Sequence, residues 1–352
     1  MWQTVGQERA VAALQRALAG GRRAHAYLLA GPPQVGKATL ARELAQALNC
    51  EADDPPCHEC GPCRRIAARI HADVQTVTVE AAGDGAAHKD ISIDQIREVG
   101  RAVSLRPFEG RCRAIIIDPA DAMNEAAQNA FLKTLEEPPP DVVFLLVTAR
   151  PQLLRATVRS RCQRLDLRPM PVAAEAEALT EGWGLPPQRA ELLARLSRGR
   201  LGWAIAAHAD EEMLRARREA LMDIRNLPRR SLAERFARAG DLSGRFGRQR
   251  EAVLDVLDLW GQWWRDVLLA AAGCQEAITN VDLSDILRAE AARYDARQVA
   301  SFLRSLAAAR RRLEENVNPR LALEVLLLDL PAPGWRTVGT VCESQSARGL
   351  RM

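Results

Sequence analysis

With 352 residues, 47% of them hydrophobic, the chain holds enough apolar material for packed cores in two or three domains. Lys and Arg outnumber Asp and Glu only 49 to 45, a net charge of +4 that is too mild to define a nucleic-acid binder by itself. No apolar run approaches the roughly twenty residues of a membrane span and no basic-then-apolar leader opens the chain, so a soluble, non-exported, cytoplasmic protein is expected.

Residues 1–24 predict a helix carrying Val11, Leu14 and Leu18, preceded by Trp2 to Gln7 and stopped by the Gly20-Gly21 pair. Tyr27 to Ala30 then form a short apolar strand, Gly31 to Gly36 a glycine-bounded loop, and Lys37 opens a helical pattern through Leu40, Leu44 and Leu48. Strand, loop and helix in this order are the setting of a phosphate-binding P-loop. Glycines at both ends let backbone N–H groups converge on phosphate oxygens, the helix N-terminus adds positive potential, and Lys37 reaches the terminal phosphates. Lysine occurs only at 37, 89 and 133 in a chain otherwise rich in arginine, so an ammonium is kept where such a loop needs one. The next position, where a hydroxyl would hold magnesium, is Ala38, and Thr39 stands one place too late to point the same way. Phosphate binding is therefore better supported than metal-assisted hydrolysis. The alternative is a glycine-rich turn that holds no ligand.

Cys50, Cys57, Cys60 and Cys63 follow in a C-x6-C-x2-C-x2-C spacing, with two prolines and a glycine to bend the chain. Four thiolates this close predict a tetrahedral all-sulfur site for structural zinc with no open coordination position. His58 and His71 are possible substitutes, and unliganded or redox cysteines are the alternative. Cys112, Cys162, Cys274 and Cys342 are scattered, which suits a reduced compartment rather than a disulfide framework.

A strand is predicted at Val74 to Val79, then a polar loop through Asp90, then a helix with Ile93, Ile96, Val99 and Val103 on one face. The strand Arg113 to Asp118 ends in an acid, as a Walker B strand does, and Asp118 would lie near magnesium. The following residue, where a water-polarising carboxylate would stand, is Pro119, which has no side-chain oxygen. Residues 120–150 predict a helix stopped by Pro138 to Pro140 and a strand ending near Thr148.

The run from Asn129 to Pro139 (NAFLKTLEEPP), the four-cysteine insert, the FLLVT strand and Ser160-Arg161-Cys162 resemble the bacterial clamp-loader ATPase family of the AAA+ class, strongly over residues 1–210. The resemblance implies an α/β P-loop (AAA+) domain with a parallel sheet at 1–165, with the four-cysteine zinc module at 50–63. It further implies a small helical lid at 166–210 and an all-α collar at 211–330 that holds a ring together. Motor subunits of that family carry a complete GKT or GKS loop, an Asp-Glu pair after the Walker B strand and a sensor arginine early in the lid. Here stand Lys37-Ala38, Asp118-Pro119 and, at the sensor arginine's position, Gly202. Arg161 is kept, and in the family that arginine acts on a neighbouring subunit's nucleotide; the alternative is a surface arginine at a strand start. Thr148 matches the sensor 1 position. The combination resembles the delta-prime type of DNA polymerase III clamp-loader subunit. Such a subunit implies gamma/tau motor subunits and a delta subunit as partners, with the sliding clamp and primed DNA met through the assembled complex. ATP or ADP with Mg²⁺ in a pocket formed by Gly31, Gly36, Lys37, Ala38, Thr39, Asp118 and Thr148 is the cofactor it implies.

Leu165 to Pro171 reads as a proline-punctuated linker, followed by helices to about Asp210 with a turn at Trp183 to Pro187. Helices are predicted at 211–225, 231–240, 248–272, 282–292, 295–317 and 319–330. Trp260, Trp263 and Trp264 share a face with Leu257, Val267 and Leu268, which favours core or interface over a base-stacking platform. The arginines between Arg195 and Arg250 suit a basic face or solvated helix faces equally. Pro331 to Met352 has no periodicity and is expected to be mobile. Two rivals stand beside the non-catalytic ring subunit. One is an active AAA+ ATPase using Thr39 and another acid, and the other is a zinc-dependent DNA-binding protein.

Overall fold

The computed structural model describes residues 2–79, 90–247, 249–315 and 317–334, in two compact units, Met1–Asp210 and Glu211–Met352. In the first unit α1 (Glu8–Ala19) leads to β1 (Ala26–Ala30), α2 (Lys37–Asn49), α3 (Gly61–Ala67) and β2 (Val74–Val77). Then come α4 (Ile93–Val103), β3 (Arg113–Ile117), α5 (Glu125–Glu136), β4 (Val142–Thr148), α6 (Ala156–Arg159) and β5 (Gln163–Asp166). The five strands form one sheet in the order β2-β3-β4-β1-β5, with every pairing parallel.

Because side chains alternate along a strand, the sheet feeds two cores. Tyr27, Leu29, Ala114, Ile116, Val143 and Leu145 point to the side covered by α1 and α2. Ala26, Leu28, Ile115, Ile117, Phe144 and Leu146 point to the side of α4 and α5, where Phe131 meets Phe144 edge-on at 5.1 Å. Burial on both faces explains why β4 is apolar from Val142 to Val147, with only the terminal Thr148 polar. Ser92 caps α4 in a capping box with Gln95, and Asn124 caps α5.

In this unit two sequence-based boundaries differ from expectation. β2 stops at Val77, and the linker expected from Leu165 starts inside β5, whose residues 163–166 pair with Tyr27 to Ala30 at the sheet edge. β5 is short and buries only Leu165 of its four residues, so its strand character comes from the partner edge and not from its own propensity. The expected loop through Asp90 lies, for residues 80–89, outside the described residues. After Leu167 come α7 (Val172–Trp183), α8 (Pro187–Ser197) and α9 (Leu201–Ala209).

The second unit contains α10 (Glu211–Asn226), α11 (Leu232–Phe246), α12 (Arg250–Ala271), α13 (Ser284–Ala291), α14 (Ala296–Glu314) and α15 (Pro319–Leu328). Trp260, Trp263 and Trp264 of α12 are fully buried, and Trp264 packs edge-on against Tyr294 and Phe302 at 5.0 and 5.7 Å. They are core residues and cannot stack on bases. α11 runs to Phe246, past its predicted end at 240, because Leu242 and Phe246 continue its buried stripe with Ala239. Pro331 is buried and Gly334 N–H donates to the Arg293 carbonyl at 3.1 Å; the remainder of the expected mobile tail, residues 335–352, lies outside the described residues. No helix among the described residues is long and apolar enough to cross a membrane.

Candidate nucleotide pocket and metal module

Between β1 and α2 the chain makes a tight turn that only glycine permits at its two ends. Gly36 has φ +95°, and a Cβ on Gly31 would stand 2.3 Å from the Leu167 carbonyl oxygen. Lys37, at the first position of α2, is buried, and its Nζ donates to the Gly31 carbonyl at 2.7 Å and to that of Pro32. Burial lowers its pKa to about 8, against the opposing pull of Asp118 and Asp121. Asp118, just past the end of β3, has its pKa raised by the same burial, with Lys37 pulling the other way. Ala38 and Thr39 occupy the next two places on α2, and Thr39 is exposed.

Asp121 was missed from the sequence. It lies three residues beyond Asp118, and a single 3-10 turn (Ala120–Ala122) swings it to the end of β4. Thr148 Oγ1 donates to its Oδ1 at 2.6 Å, and Arg150 Nε donates to its Oδ2 at 2.8 Å. Thr148 and two nitrogens of Arg150 thus take up about three of the carboxylate's roughly four acceptor sites, which ties Asp121 to these partners and leaves it little capacity to orient a water. An acid one helical turn beyond a strand-end acid was the available signal, but only the fold shows that Arg150 closes over it.

The lid helix α9 reaches the loop through its backbone. Gly202 N–H donates to the Gln34 carbonyl at 3.0 Å, and a Cβ at 202 would sit 3.0 Å from that same oxygen. At this position glycine is a close-packing residue. Gln7, also unforeseen, donates from Nε2 to the Val35 and Arg168 carbonyls at 3.2 and 2.8 Å.

Arg161 follows α6 on the surface. Its guanidinium pairs with exposed Glu136 at 2.8 Å and donates to the Thr157 carbonyl at 3.0 Å, leaving the side chain 35% accessible. It lies outside the cluster formed by Lys37, Asp118, Asp121 and Thr148.

Cys50, Cys57, Cys60 and Cys63 come together with every pair of sulfurs within 4.8 Å. Cys57 N–H donates to the Cys50 sulfur at 3.4 Å and Cys60 N–H to the Cys57 sulfur at 3.3 Å. The N–H groups of Cys60 and Glu59 lower the Cys57 pKa to about 6, which favours thiolate. A four-thiol set with two backbone donors turned toward its sulfurs fits a metal ion. His71 is not part of it; its Nδ1 accepts from Asp73 N–H at 3.1 Å. Glu43 of α2 links the module to the N-terminal segment. It accepts from Gln3 N–H and from Thr4 N–H at 3.1 Å, and lies 3.7 Å from His58.

An all-parallel sheet in this order, with a P-loop leaving β1 and a three-helix lid on the loop, defines a P-loop protein of AAA+ type. Residues 6–171 match the family model described as DNA polymerase III, delta subunit, and residues 248–331 the model of that subunit's C-terminal part. The delta' subunit of DNA polymerase III from Bacillus subtilis is 29% identical over 92% of this chain and 96% of its own length. That of Pseudomonas aeruginosa is 41% identical over 50% of this chain and 53% of its own. The tau subunit of Bacillus subtilis is 38% identical over 47% of this chain, which spans only 28% of that longer protein. Both family models and both delta' relatives thus make this chain similar to the delta' subunits of bacterial DNA polymerase III.

Proposed function

We propose that this chain is a non-hydrolysing, stator-like member of the clamp loader. It would assemble with gamma/tau motor subunits and a delta subunit and supply Arg161 to the nucleotide site of a neighbour during ATP-dependent loading of the sliding clamp onto primed DNA. The observation that carries this is the opposite state of the two machineries. The chain's own pocket lacks a hydroxyl at 38, has Pro119 beside Asp118, and holds Asp121 in bonds to Thr148 and Arg150, whereas Arg161 is presented at the surface. A guanidinium supplied across a boundary stabilises the charge that spreads over the transferred phosphoryl group. Glu136, itself exposed, is a screened partner that Arg161 can release at small cost.

The pocket can still hold ATP or ADP, with or without Mg²⁺, through Gly31, Gly36, Lys37 and the first turn of α2. Zinc is the metal proposed for the four cysteines, in a structural role. The exposed stripe of Leu321, Val325 and Leu328 on α15, spaced at one helical face, supports docking of this unit against the helical units of neighbouring subunits. Arg161→Ala in the reconstituted complex is expected to lower ATP turnover at the adjoining site by about tenfold or more while the isolated chain melts unchanged. Unaltered turnover would remove the role. ATP hydrolysis by the purified chain that Lys37→Ala abolishes would favour an active ATPase instead.

A further inference from the structure

The three most exposed large apolar side chains among the described residues are Phe108, Ile70 and Leu105, at 85, 71 and 67% accessibility. They come from two segments that the fold binds together. The buried Asp73 carboxylate accepts Phe108 N–H at 2.7 Å and the N–H groups of Glu109 and Gly110 at 2.8 Å. Arg113 donates to Asp73 at 2.9 Å and to the carbonyls of Ala102, Leu105 and Arg106 at the end of α4. Glu109 closes the arrangement by pairing with Arg65 at 3.0 Å and accepting Ala72 N–H at 3.3 Å. Burial alone would raise the Asp73 pKa, yet the three N–H groups and Arg113 bring it down to about 2, so the brace stays ionised at neutral pH. A loop held by this many bonds keeps Leu105 and Phe108 in the open with little freedom to fold them away.

The two segments carry an excess of positive charge. Residues 64–73 and 101–113 contain seven arginines and two carboxylates, Asp73 and Glu109, and both carboxylates are paired. Arg64, Arg69, Arg101, Arg106 and Arg111 have no ion pair among the described residues. Apolar area rimmed by charge is the anatomy of a recognition surface, and here the complement is negative. Nucleic acid would satisfy the arginines and stack on Phe108, but it offers nothing to cover the aliphatic Ile70 and Leu105. A protein cleft covers all three.

We propose that Ile70, Leu105 and Phe108 form a rigid knuckle that seats in an apolar cleft rimmed by carboxylates on a partner protein. It rests on the clamp-loader proposal only for the choice of probes. Those probes are the purified motor subunit, delta subunit and sliding clamp from the same organism, each immobilised alone, with primed DNA as a fourth surface. The full chain carrying Leu105→Ser and Phe108→Ser is expected to melt like its parent and to bind one of the three proteins about tenfold or more weakly. Arg106→Glu with Arg111→Glu should weaken the same interaction and flatten its salt dependence, and Phe108→Leu should retain most of it. Equal binding of parent and variant to all three proteins, or a loss confined to DNA, overturns the knuckle while leaving assembly intact. A parent chain that binds none of the three proteins overturns the clamp-loader proposal as well.

Discussion

Glu175 is fully buried in α7 and faces Ser197, whose Oγ lies 2.7 Å from both carboxylate oxygens and 2.9 Å from the Ala194 carbonyl. One hydroxyl proton cannot serve three acceptors. A protonated Glu175 can donate to Ser197 while Ser197 donates to Ala194. Burial accordingly raises the Glu175 pKa to about 7, against the opposing effects of Ser197, Gly199 N–H and Arg200. The folded state therefore holds this proton more tightly than the unfolded chain, whose carboxyl has the ordinary value of 4.5. The stabilisation is complete below 4.5 and is lost as pH rises through about 7, by at most about 3 kcal/mol. Urea unfolding at about pH 5 and about pH 8 should show the parent losing stability over that interval and Glu175→Gln losing little. Equal slopes for the two would show that Glu175 is ionised throughout. Such a residue is unreadable in sequence, where it is one more glutamate in an amphipathic helix.

At the scale of elements, α9 and the P-loop meet through backbone atoms, so the contact depends on Gly202 having no side chain. In most helices Gly→Ala stabilises by about 0.5–1 kcal/mol. Here the new Cβ meets the Gln34 carbonyl oxygen at 3.0 Å and its Cβ at 3.3 Å, so Gly202→Ala is expected to destabilise by about 1 kcal/mol in denaturant unfolding. A gain in stability would mean that the lid stands off the loop. The cysteine module is the second separable element. Gln46 Nε2 of α2 donates to the Cys63 carbonyl at 2.9 Å, and α3 opens at Gly61, next to Cys60. Cys57→Ser, or chelation, is expected to abolish metal binding and to speed hydrogen exchange through residues 50–70 while nucleotide affinity stays the same. Loss of nucleotide affinity with the rest of the fold protected would assign the module to the pocket instead.

At the scale of the molecule, one chain carries a pocket with no hydroxyl at 38 and no carboxylate at 119, and a partly exposed arginine, Arg161, that lies outside that pocket. Measuring ATP turnover for the isolated chain and for the reconstituted complex, each with and without Arg161, separates what the chain does for itself from what it does for a neighbour. Much of this organisation was readable from the residues alone. The P-loop, the Walker B acid, the four cysteines and the buried β4 strand are local patterns whose spacing carries the chemistry. Ala38 and Pro119 were equally plain, because a missing oxygen needs no geometry to be noticed. What the tertiary structure decided are the meetings of residues distant along the chain, such as Asp121 with Arg150, Gly202 with Gln34, and Asp73 with the loop at 108–110. It also made β5 a strand, since a four-residue run of weak propensity takes its conformation from the open edge of β1. Local pattern governs which residues are offered to a site, whereas hydrogen bonds between remote segments govern whether they are free to act. The knuckle of Ile70, Leu105 and Phe108 arises in the same way, from apolar letters that only the folded chain leaves uncovered.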